Sequence, residues 1–174
     1  MNEHQISRKS FLSKTFVLFP RLFLAPRILL SKQQEKQPAI EPSIVNKYVK
    51  IAHTDFTKVK EMLQENPLLL NATWDWGSGD FETAIGAAGH MGLKETANYL
   101  LAQGARTDIF VLTMLGKTKI VKSMLKEFPN LLNSLGPHGF TLLHHAEKGG
   151  KDSEELFNHL QTLGLKEKFI KLYK

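Results

Sequence analysis

The residues of this chain that could perform covalent chemistry form few recognisable patterns. Ser123 and Lys126 match the Ser-x-x-Lys spacing of some acyl-enzymes, in which a lysine assists a serine nucleophile. The Ser-Asp-Asn and Lys-Thr-Gly elements that accompany this spacing in such enzymes are absent. The chain contains no cysteine, which excludes disulfides, thiol nucleophiles and thiolate metal sites. We therefore predict no catalytic residues and expect a protein that is not an enzyme.

The histidines do not follow a known metal-ligand spacing. His144 and His145 are adjacent, so on a helix their side chains would diverge by about 100°. No His-Glu-x-x-His pattern occurs, and no glycine-rich phosphate-binding pattern occurs either. A metal site assembled from distant histidines such as His90 and His138 is the alternative. The spacing alone predicts no metal and no cofactor.

The strongest candidate for binding is the segment 74–82, which holds both tryptophans of the chain, a phenylalanine and three acidic residues. Aromatic rings beside carboxylates suit a basic peptide or a sugar-like ligand. The predicted contact residues are Trp74, Asp75, Trp76, Asp80, Phe81 and Glu82, with Phe110, Met114, His138 and Phe140 as an extension of the same surface. The alternative is structural, because the rings could instead pack beneath their own loop.

Two internal repeats indicate how these residues are positioned. Residues 59–71 reappear as residues 121–133, with nine of thirteen positions identical at an offset of 62. Residues 83–92 and 141–150 share Thr, Ala and Gly at an offset of 58. Repetition at this spacing is typical of stacked supersecondary units, which bury apolar surface against their neighbours.

The apolar spacing predicts that each unit is a pair of short helices. Pro67 and Pro129 would end helices at equivalent places, and Gly104 suits the left-handed position after a helix. Ser43 would cap the first helix. The predicted helices cover residues 43–52, 57–65, 83–92, 93–103, 118–127, 141–149 and 153–163, and a further helix is predicted to begin almost directly after Asp108.

These units resemble ankyrin repeats. Thr141, His144 and Gly150 match the family pattern that opens a unit, and the segment Leu100–Ala105 matches the pattern that ends one. The resemblance implies an all-α solenoid of helix-turn-helix units with short finger loops, over about residues 43–74, 75–108, 109–136 and 137–165. The third unit lacks the usual opening, so one finger loop is predicted to be missing. Residues 166–174 are predicted to add a short basic helix as a cap.

The resemblance also implies a function, since the finger loops and first helices of ankyrin proteins commonly bind protein partners. We therefore expect a monomeric, non-enzymatic protein-binding module whose partner is unknown. The alternative is a small-ligand-binding or enzymatic protein that uses the Trp74-Asp75-Trp76 loop and His138.

Residues 1–42 differ from the rest of the chain and are expected to form a leader and linker. Residues 1–40 carry seven basic and two acidic residues, whereas residues 41–174 carry sixteen and fifteen. Because the body is nearly neutral, no nucleic-acid partner is predicted.

The segment Ser7–Lys14 resembles a bacterial twin-arginine signal peptide, with Lys9 in place of the second arginine. The alternatives are a basic membrane-surface anchor and a disordered tail. If the segment works as a signal, the protein is expected to be exported to the periplasm; otherwise it is expected in the cytoplasm. Contact with a membrane is predicted only through residues 1–32.

Overall fold

The helices of this protein follow the sequence repeats. A computed structural model describes residues 38–173, and most of them lie in short helices. The eight α-helices of this described part are α1 Pro42–Ile51, α2 Phe56–Glu65, α3 Ala84–Met91, α4 Lys94–Ala102, α5 Ile109–Met114, α6 Thr118–Glu127, α7 Leu142–Gly149 and α8 Glu154–Thr162. Short 3₁₀ turns cover Pro67–Asn71, Pro129–Asn133, Pro137–Gly139 and Gly150–Ser153. A two-stranded antiparallel sheet joins β1 Thr73–Asp75 to β2 Phe81–Thr83.

Equivalent sequences adopt equivalent structures in this chain. Helices α2 and α6, together with the 3₁₀ turns that follow them, begin and end at positions 62 residues apart. Helices α3 and α7 begin and end 58 residues apart, which is the offset of the second sequence repeat. The prediction of repeated helical units is therefore confirmed at the level of local structure.

Side-chain caps explain where several helices begin. The carboxylate of Asp55 accepts a hydrogen bond from the Lys58 amide at 3.0 Å, and the carboxylate of Asp108 does the same for the Val111 amide at 2.9 Å. Such caps satisfy amide groups that have no partner within the helix. The prediction that Ser43 caps α1 is wrong, since α1 begins at Pro42 and Glu41 precedes it without a side-chain bond. Proline suits this first helical position because it has no amide hydrogen to satisfy.

The helices form consecutive pairs, and the pairs contact one another through their first helices. Helix α3 contacts α1 and α5, and α5 in turn contacts α7. Helix α3 is almost entirely buried and rich in alanine and glycine. At Gly89 an added Cβ atom would lie 3.0 Å from Val111 Cγ2, so the absence of a side chain permits the close approach of α3 and α5. Small residues thus set the distance between neighbouring pairs.

The C-terminal segment is extended rather than helical, so the prediction of a capping helix over residues 166–174 is wrong for its described part, 166–173. The Lys168 carbonyl accepts a hydrogen bond from the Thr141 amide at 3.1 Å, and the Ile170 amide donates a hydrogen bond to the Gly139 carbonyl at 2.9 Å. Phe169 pairs with Phe140 in an isolated bridge. These bonds to the chain around Gly139 take the place of helical hydrogen bonds in this segment.

Residues 1–37 of the predicted leader and linker, which include the proposed export signal, lie outside the described residues. Among residues 38–173, no helix has the length and apolarity required to cross a lipid bilayer.

Candidate functional site

The predicted binding segment forms a β-hairpin that joins the first helix pair to the second. Trp74 faces Glu82 across the two strands, and Asp75 faces Phe81. Because side chains alternate between the faces of a strand, Trp74 and Glu82 share one face while Phe81 lies on the other. Glu82 is buried and Trp74 packs against the hydrophobic core, whereas Phe81 is 61% exposed. The hairpin therefore has one face toward the helices and one toward solvent.

The tip of the hairpin is held by its own acidic residue. Gly77, Ser78 and Gly79 all have positive φ, a conformation that glycine adopts without strain. Oδ1 of Asp75 accepts hydrogen bonds from the amides of Gly77 and Gly79, at 2.8 and 3.1 Å. Asp75 thus fixes the loop and does not point toward His138.

Beneath the hairpin, three histidines surround the buried carboxylate of Glu82. Nε2 of His90 lies 2.8 Å from Oε1 of Glu82, and Nε2 of His53 lies 3.3 Å from Oε2. Nε2 of His138 lies 3.5 Å from the same Oε2. The indole N–H of Trp76 donates to Oε2 at 2.8 Å. We call the side chains of His53, Glu82, His90 and His138 the imidazole–carboxylate cluster.

The electrostatics of the cluster are dominated by Glu82, whose side chain has no exposed surface. Burial alone would raise the pKa of Glu82, but its contacts with His53 and His90 outweigh burial and lower the pKa to about 2. Hydrogen bonding to Glu82 raises the pKa of His53, and burial acts in the opposite direction. Glu82 is therefore ionised at neutral pH. The ion pairs that it forms within residues 38–173 are with histidines alone.

His138 is positioned by Asp80 at the other end of the hairpin loop. Oδ1 of Asp80 accepts a hydrogen bond from the backbone amide of His138 at 2.8 Å, and Oδ2 of Asp80 lies 2.8 Å from the ring Nδ1 of His138. His138 also has a positive φ of 62°, which is uncommon for a residue with a side chain. The two bonds to Asp80 hold this strained turn in place and direct Nε2 of the ring toward Glu82.

Several predicted contact residues are buried or nearly buried. Met114 is fully buried, Phe110 is 9% exposed, and Glu82 lies beneath the hairpin. The ring of Phe140 stacks on His144 with a centroid separation of 4.0 Å, and on His90 at 5.1 Å. Of the predicted set, Trp76 and Phe81 have the exposed rings, and Asp80 and His138 lie at the edge of the cluster. Met114 is buried because helix α5 packs against both α3 and α7.

The adjacent histidines of α7 have structural roles. Nε2 of His144 contacts the His90 carbonyl at 2.9 Å and links α7 to the end of α3. Nδ1 of His145 contacts the Thr141 carbonyl at 2.8 Å within α7. His53 was not among the predicted site residues. No local signal identifies it, because the other residues of the imidazole–carboxylate cluster lie at least 29 positions away in the sequence.

Two cavities flank the hairpin. One, of ≈320 Å³, lies beside Phe81 and is also lined by Asp80, Asp108, Phe110 and Leu172. The other, of ≈480 Å³, is lined by Lys50, Ile51, His53, Thr54 and Trp76. The first cavity adjoins the outer face of the hairpin, and the second opens beside the imidazole–carboxylate cluster.

Comparison with models of known protein families, with curated proteins and with solved structures gives no match to this chain. The interpretation of the site therefore depends on its geometry.

Proposed function

We propose that this protein is a non-enzymatic, ankyrin-like repeat module that binds a protein partner through the outer face of its hairpin. The observation that carries the proposal is Phe81, which is 61% exposed at the edge of the ≈320 Å³ cavity. An exposed aromatic ring next to a cavity is the usual composition of the energetic centre of a protein interface. The hydroxyl of Tyr173 donates to the Gly77 carbonyl at 2.8 Å and brings a second aromatic ring to this surface.

The contacts between helix pairs support the ankyrin likeness. Each first helix lies against the first helix of the next pair, and the hairpin occupies the position of a finger loop between the first two pairs. A solenoid of this kind presents its loops along one edge, where a partner can reach several of them.

The lining of the cavity indicates the chemistry of the partner. Phe81, Phe110 and Leu172 form an apolar wall, and the carboxylates of Asp80 and Asp108 lie in the same lining. A lysine or arginine side chain has an apolar stem and a cationic end, so it matches both parts. We expect the partner to insert a basic residue beside Phe81.

The alternative prediction, a small-ligand or enzymatic protein using the Trp74-Asp75-Trp76 loop and His138, has less support. Trp74 packs against the core and Asp75 bonds to the amides of its own loop, so neither converges on His138. The residues that do converge there belong to the imidazole–carboxylate cluster.

Affinity capture with matched surface variants tests the proposal. Phe81→Ala removes the exposed ring of the hairpin, and Phe128→Ala removes a ring that is 64% exposed at the end of α6 and serves as the control. We expect a partner captured by the full-length protein to be retained by Phe128→Ala and reduced at least about tenfold by Phe81→Ala, since central aromatic residues contribute about 2 kcal/mol or more. Equal capture by all three proteins would contradict a role for the hairpin face.

A further inference from the structure

The imidazole–carboxylate cluster has the composition and dimensions of a metal site. It contributes one candidate ligand atom from each of His53, Glu82, His90 and His138, and all four atoms lie within 4.8 Å of one another. In a tetrahedral zinc site with bonds of about 2.0–2.1 Å, neighbouring ligand atoms are roughly 3.3–3.5 Å apart. The distance from His53 Nε2 to His90 Nε2 is 3.2 Å. The distances from Glu82 Oε2 to His53 and His138 are 3.3 and 3.5 Å. These three separations are close to the edge lengths of such a tetrahedron, whereas Nε2 of His90 lies closer to the carboxylate, 2.8 Å from Oε1 of Glu82.

The outward hydrogen bonds of two histidines fix the tautomer that a metal requires. Nδ1 of His53 lies 3.0 Å from the Val49 carbonyl, and Nδ1 of His138 lies 2.8 Å from a carboxylate oxygen of Asp80. Both partners accept hydrogen bonds, so each Nδ1 must carry the hydrogen. In the neutral ring Nε2 then presents a lone pair, and in both rings that atom faces Glu82. A carbonyl or carboxylate behind the ring is the usual outer support of a histidine that binds a metal.

At the centre of the cluster, one carboxylate oxygen of Glu82 is left without a hydrogen bond. Oε1 of Glu82 is buried and makes no hydrogen bond, although Nε2 of His90 lies 2.8 Å away. Within residues 38–173, neither lysine nor arginine forms an ion pair with Glu82. A buried carboxylate oxygen without a hydrogen bond costs free energy. One bound cation would satisfy all four groups together.

We propose that the imidazole–carboxylate cluster binds one divalent transition-metal ion, with zinc as the expected occupant. Three imidazoles and one carboxylate suit Zn²⁺ and its neighbours Co²⁺ and Ni²⁺, whereas Ca²⁺ and Mg²⁺ take mainly oxygen ligands. His53, one of the four ligands, also lines the ≈480 Å³ cavity beside Trp76. The proposal does not depend on partner binding, because none of the four ligands is on the outer face of the hairpin.

The origin of the ligands indicates what the ion does. His53 follows α1, Glu82 lies in β2, His90 lies in α3, and His138 lies in the turn before α7. Four protein ligands fill a tetrahedral coordination shell, which is the arrangement of structural rather than catalytic zinc sites. The ion therefore ties together the hairpin and three separate helix pairs. Since the folded chain assembles the ligands and the unfolded chain does not, binding should raise the stability of the fold.

Metal titration of the full-length protein, prepared without a histidine tag and freed of metal with a chelator, tests the site. The probes are Zn²⁺ by calorimetry and Co²⁺ by visible absorption, because tetrahedral Co²⁺ gives strong bands that octahedral Co²⁺ lacks. We expect one ion per chain, tetrahedral Co²⁺ bands, displacement of Co²⁺ by Zn²⁺, and a higher Tm with Zn²⁺.

Matched variants assign the ion to the cluster. Glu82→Gln and His138→Ala each remove one ligand, and His159→Ala removes a histidine of α8 that is not part of the cluster. We expect each ligand variant to bind at least about 100-fold more weakly, since even outer-shell changes cost about 10–100-fold. His159→Ala should bind as the unchanged protein does.

Two results would overturn the proposal. The first is a folded full-length protein, verified by circular dichroism, that binds neither Zn²⁺ nor Co²⁺ at one ion per chain. The second is equal binding by the unchanged protein, His138→Ala and His159→Ala, which would place the ion elsewhere. If Glu82→Gln fails to fold, His138→Ala decides the assignment alone, because His138 lies in a partly exposed turn.

Discussion

Replacing His145 with glutamine should remove a specific part of the pH dependence of stability. His145 is buried in α7, and its ring lies 5.1 Å from that of Phe110. Burial lowers the pKa of His145 to about 4. The contact with the Thr141 carbonyl acts in the opposite direction, and the charges of His144 and His90 lower the pKa further. The folded protein therefore holds His145 neutral at a pH where the unfolded chain would protonate it.

The sign and size of the effect follow from this difference. The pKa of His145 is about 4 in the folded protein and about 6.5 in the unfolded chain. Between these values the unfolded chain binds more protons, so the free energy of unfolding rises with pH from about 4 to 6.5 and is level above that range. The difference in the pKa of His145 alone lowers the free energy of unfolding by about 2 kcal/mol between pH 7 and pH 5, and by about 3 kcal/mol between pH 7 and pH 4.

Urea unfolding at pH 5, 6 and 7 measures this contribution. His145→Gln keeps an amide group for hydrogen bonding but does not titrate, and His159→Gln is the control because its ring lies partly exposed on α8. Between pH 7 and pH 5, we expect the free energy of unfolding of the unchanged protein to fall by about 2 kcal/mol more than that of His145→Gln. His159→Gln should follow the unchanged protein. Parallel profiles for the unchanged protein and His145→Gln would refute a buried neutral ring at this position.

Three further substitutions test the packing, each by chemical denaturation at pH 7. Leu100→Ala empties a fully buried position in the hydrophobic core and should lower the free energy of unfolding by about 2–5 kcal/mol, so a loss below about 1 kcal/mol would contradict that burial. Gly149→Ala places a Cβ atom against the Ser153 hydroxyl and the Met114 carbonyl and should cost about 1–3 kcal/mol. Unchanged stability would mean that α7 and α5 are farther apart. Asp55→Ala removes the cap of α2 and should cost about 1 kcal/mol, and an unchanged free energy of unfolding would show that the cap is not formed.

The helices could be predicted from the sequence because their signals are local. The prolines at 67 and 129 follow helices that end where expected, and the two copies of the repeat share their helix bounds. Proline lacks an amide hydrogen and restricts the residue before it, so its effect hardly depends on the rest of the fold. The caps were less predictable, since Ser43 and Pro42 both suit a helix start and the structure begins α1 at Pro42.

The C-terminal segment shows where local reasoning fails. Phe169, Ile170, Leu172 and Tyr173 have spacing compatible with a helix, but the segment is extended and bonds to the backbone around Gly139. A short isolated helix is marginally stable in water, so hydrogen bonds to another part of the chain decide its conformation. Those bonds become available only once the turn before α7 is in place.

The helix pairs and their repetition could be predicted from the sequence, because periodicity, prolines and glycines act over a few residues. The β-hairpin between the first two pairs was not predicted. Which face of the hairpin is buried, and which histidines contact Glu82, depends on the tertiary structure. His53, His90 and His138 lie on separate elements, and their distances to Glu82 depend on how closely three helix pairs pack. That packing is set by side-chain volumes summed over the whole fold, which no local spacing records.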